Sequence, residues 1–399
     1  MMGAFLRLEP ATTEKRARYE LRRTSKPSLD NGPEKHPPGT VLIRTIAASI
    51  CGSDFVGKGP NNNSDSTSFS SSCPCGGWRN PLDALETVVQ QDICGGTGHE
   101  LLGEIVQIVE PCHYSVGKRV LAFSPIYFKV VLTEEMRQIT GISNLDSVFA
   151  TQGGFAEYFV SHQAACVPVP TTTPTTKFDP RWFVLAQPLG TALHACQHLE
   201  NVMGKTVAVV GQGQNGLIMT QLLAGYRPKR LIVLDLSADR LEAAKHHQYG
   251  VTHALQVQQT ESMIQDTQVK IKDITNGELC DVVIDMVGHQ SRTMDMSCQL
   301  AKSYGTVLLF GLPPSQEESP FAISTNSFQR NLKFLTSHLP PMETFAFAME
   351  LLEQGRFDPS GLFTHTFPFR DSFPTAYDMA QNYQDGVIKV LVTFEDGKE

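Results

Sequence analysis

The sequence predicts an α/β protein in which a doubly wound parallel sheet is joined to a second, mostly β domain. Three observations carry this. From about Phe183 onward, short apolar segments at 206–210, 230–235, 281–286 and 306–310 alternate with helix-like segments, and such alternation builds a parallel sheet covered on both faces. Before that point the apolar segments are strand-like and separated by long loops. The 399 residues, 41% hydrophobic and 19% charged, exceed an average single domain and supply apolar material for two cores.

Taken in order, the opening to about Pro38 is polar. Residues 40–49 alternate like a strand and run into Cys51, Gly52, Ser53 and Asp54. Residues 61–72 are almost wholly Asn, Ser, Asp and Thr, which cannot form a packed core, so 58–77 reads as a surface insertion. After Gly98, His99 and Glu100 come β-rich stretches at 103–109 and 119–123, then a strand at 153–160 entered through a glycine turn. The second half reads as strand 206–210, helix 215–224, strand 230–235, helix 238–249, and strands 281–286 and 306–310. A last strand at 386–394 returns to the first domain. The expected domains are therefore 1–185, 186–330 and a returning segment 331–399. No internal repeat is visible.

Charge and composition exclude several classes. The formal net charge of −8 lacks the basic excess of a dedicated nucleic-acid binder. No apolar run reaches bilayer length, and the N-terminus lacks the central apolar block of a secretory signal. The expectation is a cytoplasmic protein with no membrane or nucleic-acid partner. Nine scattered cysteines, an odd number, fit reduced thiols better than a disulfide scaffold.

The strongest motif is Gly211, Gly213 and Gly216, with Gln212, Gln214 and Asn215 between them. It follows an apolar strand and opens an apolar helix, and Asp235 stands 19 positions beyond the last glycine at the end of the next strand. This is the Rossmann fingerprint for a dinucleotide. Gly211 permits the tight turn, Gly213 lets the backbone approach the pyrophosphate, and Gly216 allows close packing of helix on strand. Pyrophosphate meets the unpaired amides and positive dipole end of the helix. Asp235 accepts the ribose hydroxyls and would repel a 2′-phosphate, so NAD(H) is expected over NADP(H); Arg240, nearby, is the residue that could pair with a phosphate.

Cys51 to Asp54, Gly98-His99-Glu100 with Gly103, Gly117 to Val120, and Gly153 to Tyr158 precede this site in a familiar order. From about Val41 to its end the chain resembles the medium-chain dehydrogenase/reductase superfamily, in its zinc-dependent alcohol, sorbitol and threonine dehydrogenase branch. The resemblance implies a GroES-like catalytic domain beside the Rossmann domain, with the active site in the cleft between, and a catalytic zinc held by Cys51, His99 and Glu100. Thiolate, imidazole and carboxylate leave one tetrahedral position open for water or substrate. Ser53 matches the hydroxyl that relays the alcohol proton, and Asp54 a carboxylate that orients His99. Val287, Gly288, Gly311 and Arg330 follow the later strands, where relatives touch the nicotinamide half. Relatives commonly pair through the nucleotide domain, so a homo-oligomer is expected.

Three departures stand out. Gln187 occupies a position where the family has a metal-proximal Glu or Cys; an amide is a poor zinc ligand but can position water or substrate. The lobe carrying four closely spaced cysteines is absent, so no structural zinc is expected, and Cys73, Cys75 and Cys94 read as simple thiols. Cys51 and His99 are 48 positions apart because of the insertion. His194 and His198, four apart on a helix, lack an evident third ligand. The leading reading is zinc-assisted, NAD-dependent interconversion of a secondary alcohol or polyol and its carbonyl. A zinc-free reductase of an activated double bond or quinone, and a non-catalytic NAD(H)-binding protein, are the alternatives.

Overall fold

The computed structural model describes residues 1–10, 15–29, 36–54, 98–123, 153–246, 249–287, 291–311, 325–337 and 340–394. The insertion at 58–77, Cys73, Cys75, Cys94 and Gly288 lie outside these residues. The chain divides into two compact units, 1–187 with 341–399, and 188–340. The strands of the first unit's opening stretch are β1 (Met2–Pro10), β2 (Lys15–Arg23), β3 (Thr40–Ser49), β4 (Glu100–Ile108), β5 (Arg119–Ala122), β6 (Tyr158–His162) and β7 (Cys166–Pro168). Helix α1 (Ala186–His198) leads into the second unit, which continues with β8 (Thr206–Val210), α2 (Gln214–Gly225), β9 (Arg230–Asp235), α3 (Ala238–Ala244) and β10 (His253–Gln256). It is completed by α4 (Met263–Thr275), β11 (Cys280–Asp285), α5 (Ser291–Leu300), β12 (Ala301–Leu309), α6 (Thr325–Gln329) and β13 (Lys333–Thr336). The chain then re-enters the first unit with α7 (Met342–Glu353), β14 (Phe363–Pro368), α8 (Phe369–Gln381) and β15 (Lys389–Thr393).

In the second unit six parallel strands run in the order β10-β9-β8-β11-β12-β13. This is the doubly wound order, with its reversal between β8 and β11. All five residues of β8 are buried, as a strand covered on both faces must be, and Val207 to Val210 are apolar for that reason. Ala208, Val210, Ile232, Leu234, Val283 and Val307 form one core with Met263 and Ile271 of α4 and Met296 and Leu300 of α5. Helix α3 starts where the Ser237 hydroxyl accepts the Arg240 N–H at 3.4 Å, which satisfies one orphan donor of its first turn. It ends at Ala244 rather than continuing to 249.

The first unit is built on a mixed sheet, β14-β15-β3-β4-β5-β7, with β6 also paired to β3. The residues expected as one strand at 153–160 divide into a turn and β6, which starts at Tyr158. Gly154 packs too closely for a strand residue with a side chain, since a Cβ there would lie 2.7 Å from the Gly98 carbonyl oxygen. Within the polar opening, residues 2–10 and 15–23 form the antiparallel pair β1–β2. Val41, Ile43, Leu101, Ile105, Phe155 and Phe159 pack with Phe369, Phe373 and Tyr377 of α8 in this unit's core. The returning strand β15 pairs with β3, Leu391 opposite Ser49.

Candidate active site

Strands β3 and β4 bring the metal-type residues together. Ser49 stands opposite Glu100 in their antiparallel register, so the segments just beyond, Cys51 and His99, meet across the sheet's end although the sequence separates them. A 3-10 turn, Gly52–Asp54, follows Cys51. It is closed by Asp54 Oδ2, which accepts the Cys51 N–H at 2.8 Å, and by the Asp54 N–H donating to Cys51 O at 3.1 Å. The Tyr377 hydroxyl of α8 donates to the Asp54 carbonyl at 2.8 Å and pins the turn from behind.

Cys51, His99 and Glu100 each offer one ligand atom, all within 4.8 Å of one another. His99 Nδ1 lies 3.2 Å from Asp54 Oδ1, which leaves Nε2 for the other members of the set. Burial alone would depress the His99 pKa, but the Asp54 carboxylate, aided by Cys51, more than offsets it and holds the imidazole well above its ordinary value. Ser53 Oγ donates to Cys51 Sγ at 3.2 Å and lies 3.4 Å from His99 Nε2. Glu100 is fully buried; its Oε2 meets Lys389 Nζ at 2.6 Å and accepts the Ser49 hydroxyl. Its Oε1 is buried without a hydrogen-bond partner among the described residues. A buried acceptor left without a donor is costly unless a cation meets it, and a thiol, an imidazole and a carboxylate are a donor set that suits zinc. The residues present therefore fit the metal. Gln187 is buried in the first turn of α1.

In the second unit the glycine turn follows β8. Gly211 has φ +90°, a conformation that favours glycine, and its N–H donates to Leu234 O at 2.7 Å. A Cβ on Gly216 would overlap the Gly211 carbonyl oxygen and stand 2.8 Å from its carbon, whereas a Cβ on Gly213 would meet no atom of the described residues within 4 Å. Gly213 caps α2, whose first turn holds Gln214 and Asn215; Asn215 Oδ1 is buried and has no partner among the described residues. Asp235, 9% exposed, accepts the Gln212 N–H at 2.6 Å and the Ser237 N–H at 2.8 Å. Each oxygen keeps further acceptor capacity, so the carboxylate is fixed beside the turn without being saturated. Open space at Gly213, the helix N-terminus and this acid fit a dinucleotide.

Val287 lies against the turn, since a Cβ on Gly211 would stand 2.8 Å from Val287 Cγ2. Gly311 donates its N–H to Asp285 O at 3.1 Å, which ties it to the end of β11. Arg240 sits in the first turn of α3. Arg330 donates to Ala301 O at 2.6 Å and Cys298 O at 2.7 Å, capping the carbonyl end of α5. His194 and His198 approach through Nε2 atoms 3.4 Å apart on α1, and among the described residues three such donors converge only at Cys51, His99 and Glu100. Sequence reasoning passed over Ser49, Tyr377 and Lys389. The available signal was a lone lysine in the apolar stretch 387–392, because a charge within a buried strand needs a partner.

The family model described as alcohol dehydrogenase GroES-like domain matches residues 37–171, and that described as zinc-binding dehydrogenase matches 216–354. The chain belongs to the zinc-dependent medium-chain dehydrogenases. This dehydrogenase is 25% identical over 362 residues to the erythritol/L-threitol dehydrogenase of Mycolicibacterium smegmatis, covering 89% of this chain and 91% of that one. It is 26% identical over 348 residues to the sorbitol dehydrogenase of Gallus gallus, covering 85% and 86%. In fold it is similar to the alcohol dehydrogenase rspB of E. coli CFT073, solved with NADH: TM-score 0.68 at 22% identity, covering 98% and 99%. No helix among the described residues is long and apolar enough to cross a membrane.

Proposed function

We propose that this dehydrogenase interconverts a secondary alcohol or polyol and its carbonyl with NAD(H), using one zinc ion at Cys51, His99 and Glu100. The observation that carries the reading is the convergence of those three donors within 4.8 Å, with a buried Glu100 oxygen that has no hydrogen-bond partner among the described residues. When bound, zinc supplies Lewis-acid polarisation of the substrate oxygen, and NAD supplies the hydride acceptor.

The chain's own residues do the rest. Asp54 takes the Nδ1 side of His99 and so fixes which nitrogen is presented. Ser53 Oγ, between Cys51 Sγ and His99 Nε2, holds the hydroxyl that accepts and passes the alcohol proton. Gln187 orients water or substrate through its amide. The amides at the start of α2 hold the pyrophosphate, Asp235 accepts the adenosine ribose hydroxyls, and Val287, Gly288, Gly311 and Arg330 border the nicotinamide half. The fixed Asp235 carboxylate supports NAD over NADP, because a 2′-phosphate would bring like charges together. The same reading makes the enzyme a cytoplasmic homo-oligomer with no structural zinc; for the last of these the support is the lack of a run of four closely spaced cysteines in the sequence.

A substrate panel tests it. Turnover of secondary alcohols or polyols with NAD, abolished by a zinc chelator and restored by zinc, is the expected result. Activity on enones or quinones that ignores the chelator would replace it with the zinc-free reductase.

A further inference from the structure

Lys389 opens β15, where Val390, Leu391 and Val392 are buried apolar residues. Its side chain is itself 0% exposed. An ammonium is tolerated at such depth when a charge and hydrogen bonds meet it, and here Glu100 Oε2 does so at 2.6 Å. The same oxygen accepts the Ser49 hydroxyl. Oε1 of that carboxylate is buried and has no partner among the described residues.

The sheet explains the asymmetry. Ser49 of β3 stands opposite Glu100 of β4 and opposite Leu391 of β15. Lys389, two residues from Leu391, shares that face, since side chains alternate with period two. Lysine and serine thus reach Glu100 from neighbouring strands and converge on one oxygen.

We propose that Lys389, assisted by Ser49, is a positioning residue for Glu100: it fixes Oε2 so that the carboxylate engages a metal ion through Oε1 alone. This rests on the zinc reading above and assigns the lysine a role in it. Cys51 as thiolate, Glu100 and Asp54 would together place three negative charges around one dication. Lys389 offsets one of them and withdraws one carboxylate oxygen from the metal. Without it the carboxylate is released to turn both oxygens inward, and the coordination number rises.

Cobalt substitution tests this without reference to turnover. Purified protein is stripped of metal and loaded with Co²⁺, and its thiolate charge-transfer and ligand-field bands are recorded for wild type, Lys389→Met, Lys389→Arg and Ser49→Ala. The expected result is a charge-transfer band in all four. The ligand-field intensity should fall by roughly half in Lys389→Met as coordination expands from four towards five. Lys389→Arg should restore it, and Ser49→Ala should shift it the same way by less. A folded Lys389→Met with the wild-type spectrum overturns the proposal, and marks the lysine as a charge partner of the core alone. If Lys389→Met does not fold, Ser49→Ala decides, and an unchanged spectrum there overturns it equally. Absence of any cobalt band in wild type defeats the zinc reading itself, a separate outcome.

Discussion

Two alanine substitutions three residues apart in the glycine turn should fail in opposite ways. A methyl group on Gly216 overlaps the Gly211 carbonyl oxygen and sits 2.8 Å from its carbon, so α2 must lift from β8 or the turn must deform. Overpacking of this kind costs about 1–3 kcal/mol. For a unit the size of 188–340, 2 kcal/mol lowers the melting temperature by roughly 4–8 °C. A methyl group on Gly213 meets no atom of the described residues within 4 Å and keeps an ordinary backbone conformation, φ −68°. Its stability change should stay within about 1 kcal/mol, the scale of an altered helix cap. On the proposed reading it does, however, occupy the space where the backbone would approach the pyrophosphate, and NADH affinity should then fall at least about tenfold, or 1.4 kcal/mol. Thermal unfolding of cofactor-free protein and fluorescence titration with NADH separate the two effects. A Gly213→Ala variant with undiminished NADH affinity would refute the placement of the cofactor on this turn. An unchanged melting temperature for Gly216→Ala would refute the close packing.

Three further outcomes are expected. On the proposed reading Asp235→Ser removes the acceptor that would favour NAD, so the ratio of kcat/KM for NAD to that for NADP should drop at least about tenfold; an unchanged ratio places discrimination elsewhere. Asp54→Asn weakens the grip on His99 Nδ1, and zinc affinity measured by chelator competition should fall about 10–100-fold; wild-type affinity would remove Asp54 from the site. Asp281 accepts the Thr206 N–H at 2.8 Å and pairs with Lys302 at 2.5 Å; burial pushes its pKa up, but those two partners outweigh it and hold the carboxyl below its usual range. Its contribution, about 1 kcal/mol, is therefore complete above the unfolded carboxylate pKa near 4 and is lost as pH falls through the lower folded value. The stability gap between wild type and Asp281→Asn should be flat above about pH 5 and close in acid, and a gap that widens in acid contradicts this.

Strands β8 and β9 were legible to the residue because a parallel strand buried on both faces carries a continuous apolar run, here Val207 to Val210 and Leu231 to Leu234. The hairpin β1–β2 was not, because β2 reads Lys-Arg-Ala-Arg-Tyr-Glu-Leu-Arg-Arg and its charges hide the alternation. Residues 153–157 have strand composition, yet Gly154 is held in a turn by its N–H bond to Gly98 O at 3.0 Å, a contact that composition cannot show. The dinucleotide turn was legible since every part of it lies within 25 residues of sequence, from Gly211 to Asp235. The metal-type set was legible only through the order of family motifs, because its convergence depends on the register that sets Ser49 against Glu100. Lys389 reaches Glu100 only through the return of the chain's last strand to β3, and no local pattern announces that.

Zinc content measured by elemental analysis on wild type and Cys51→Ser protein, purified side by side without chelator, tests the central claim most directly. The account predicts about one zinc per chain in wild type and little or none in the variant, with alcohol oxidation lost in parallel. Fully active wild-type protein without zinc, or a variant that keeps both its metal and its turnover, would contradict it.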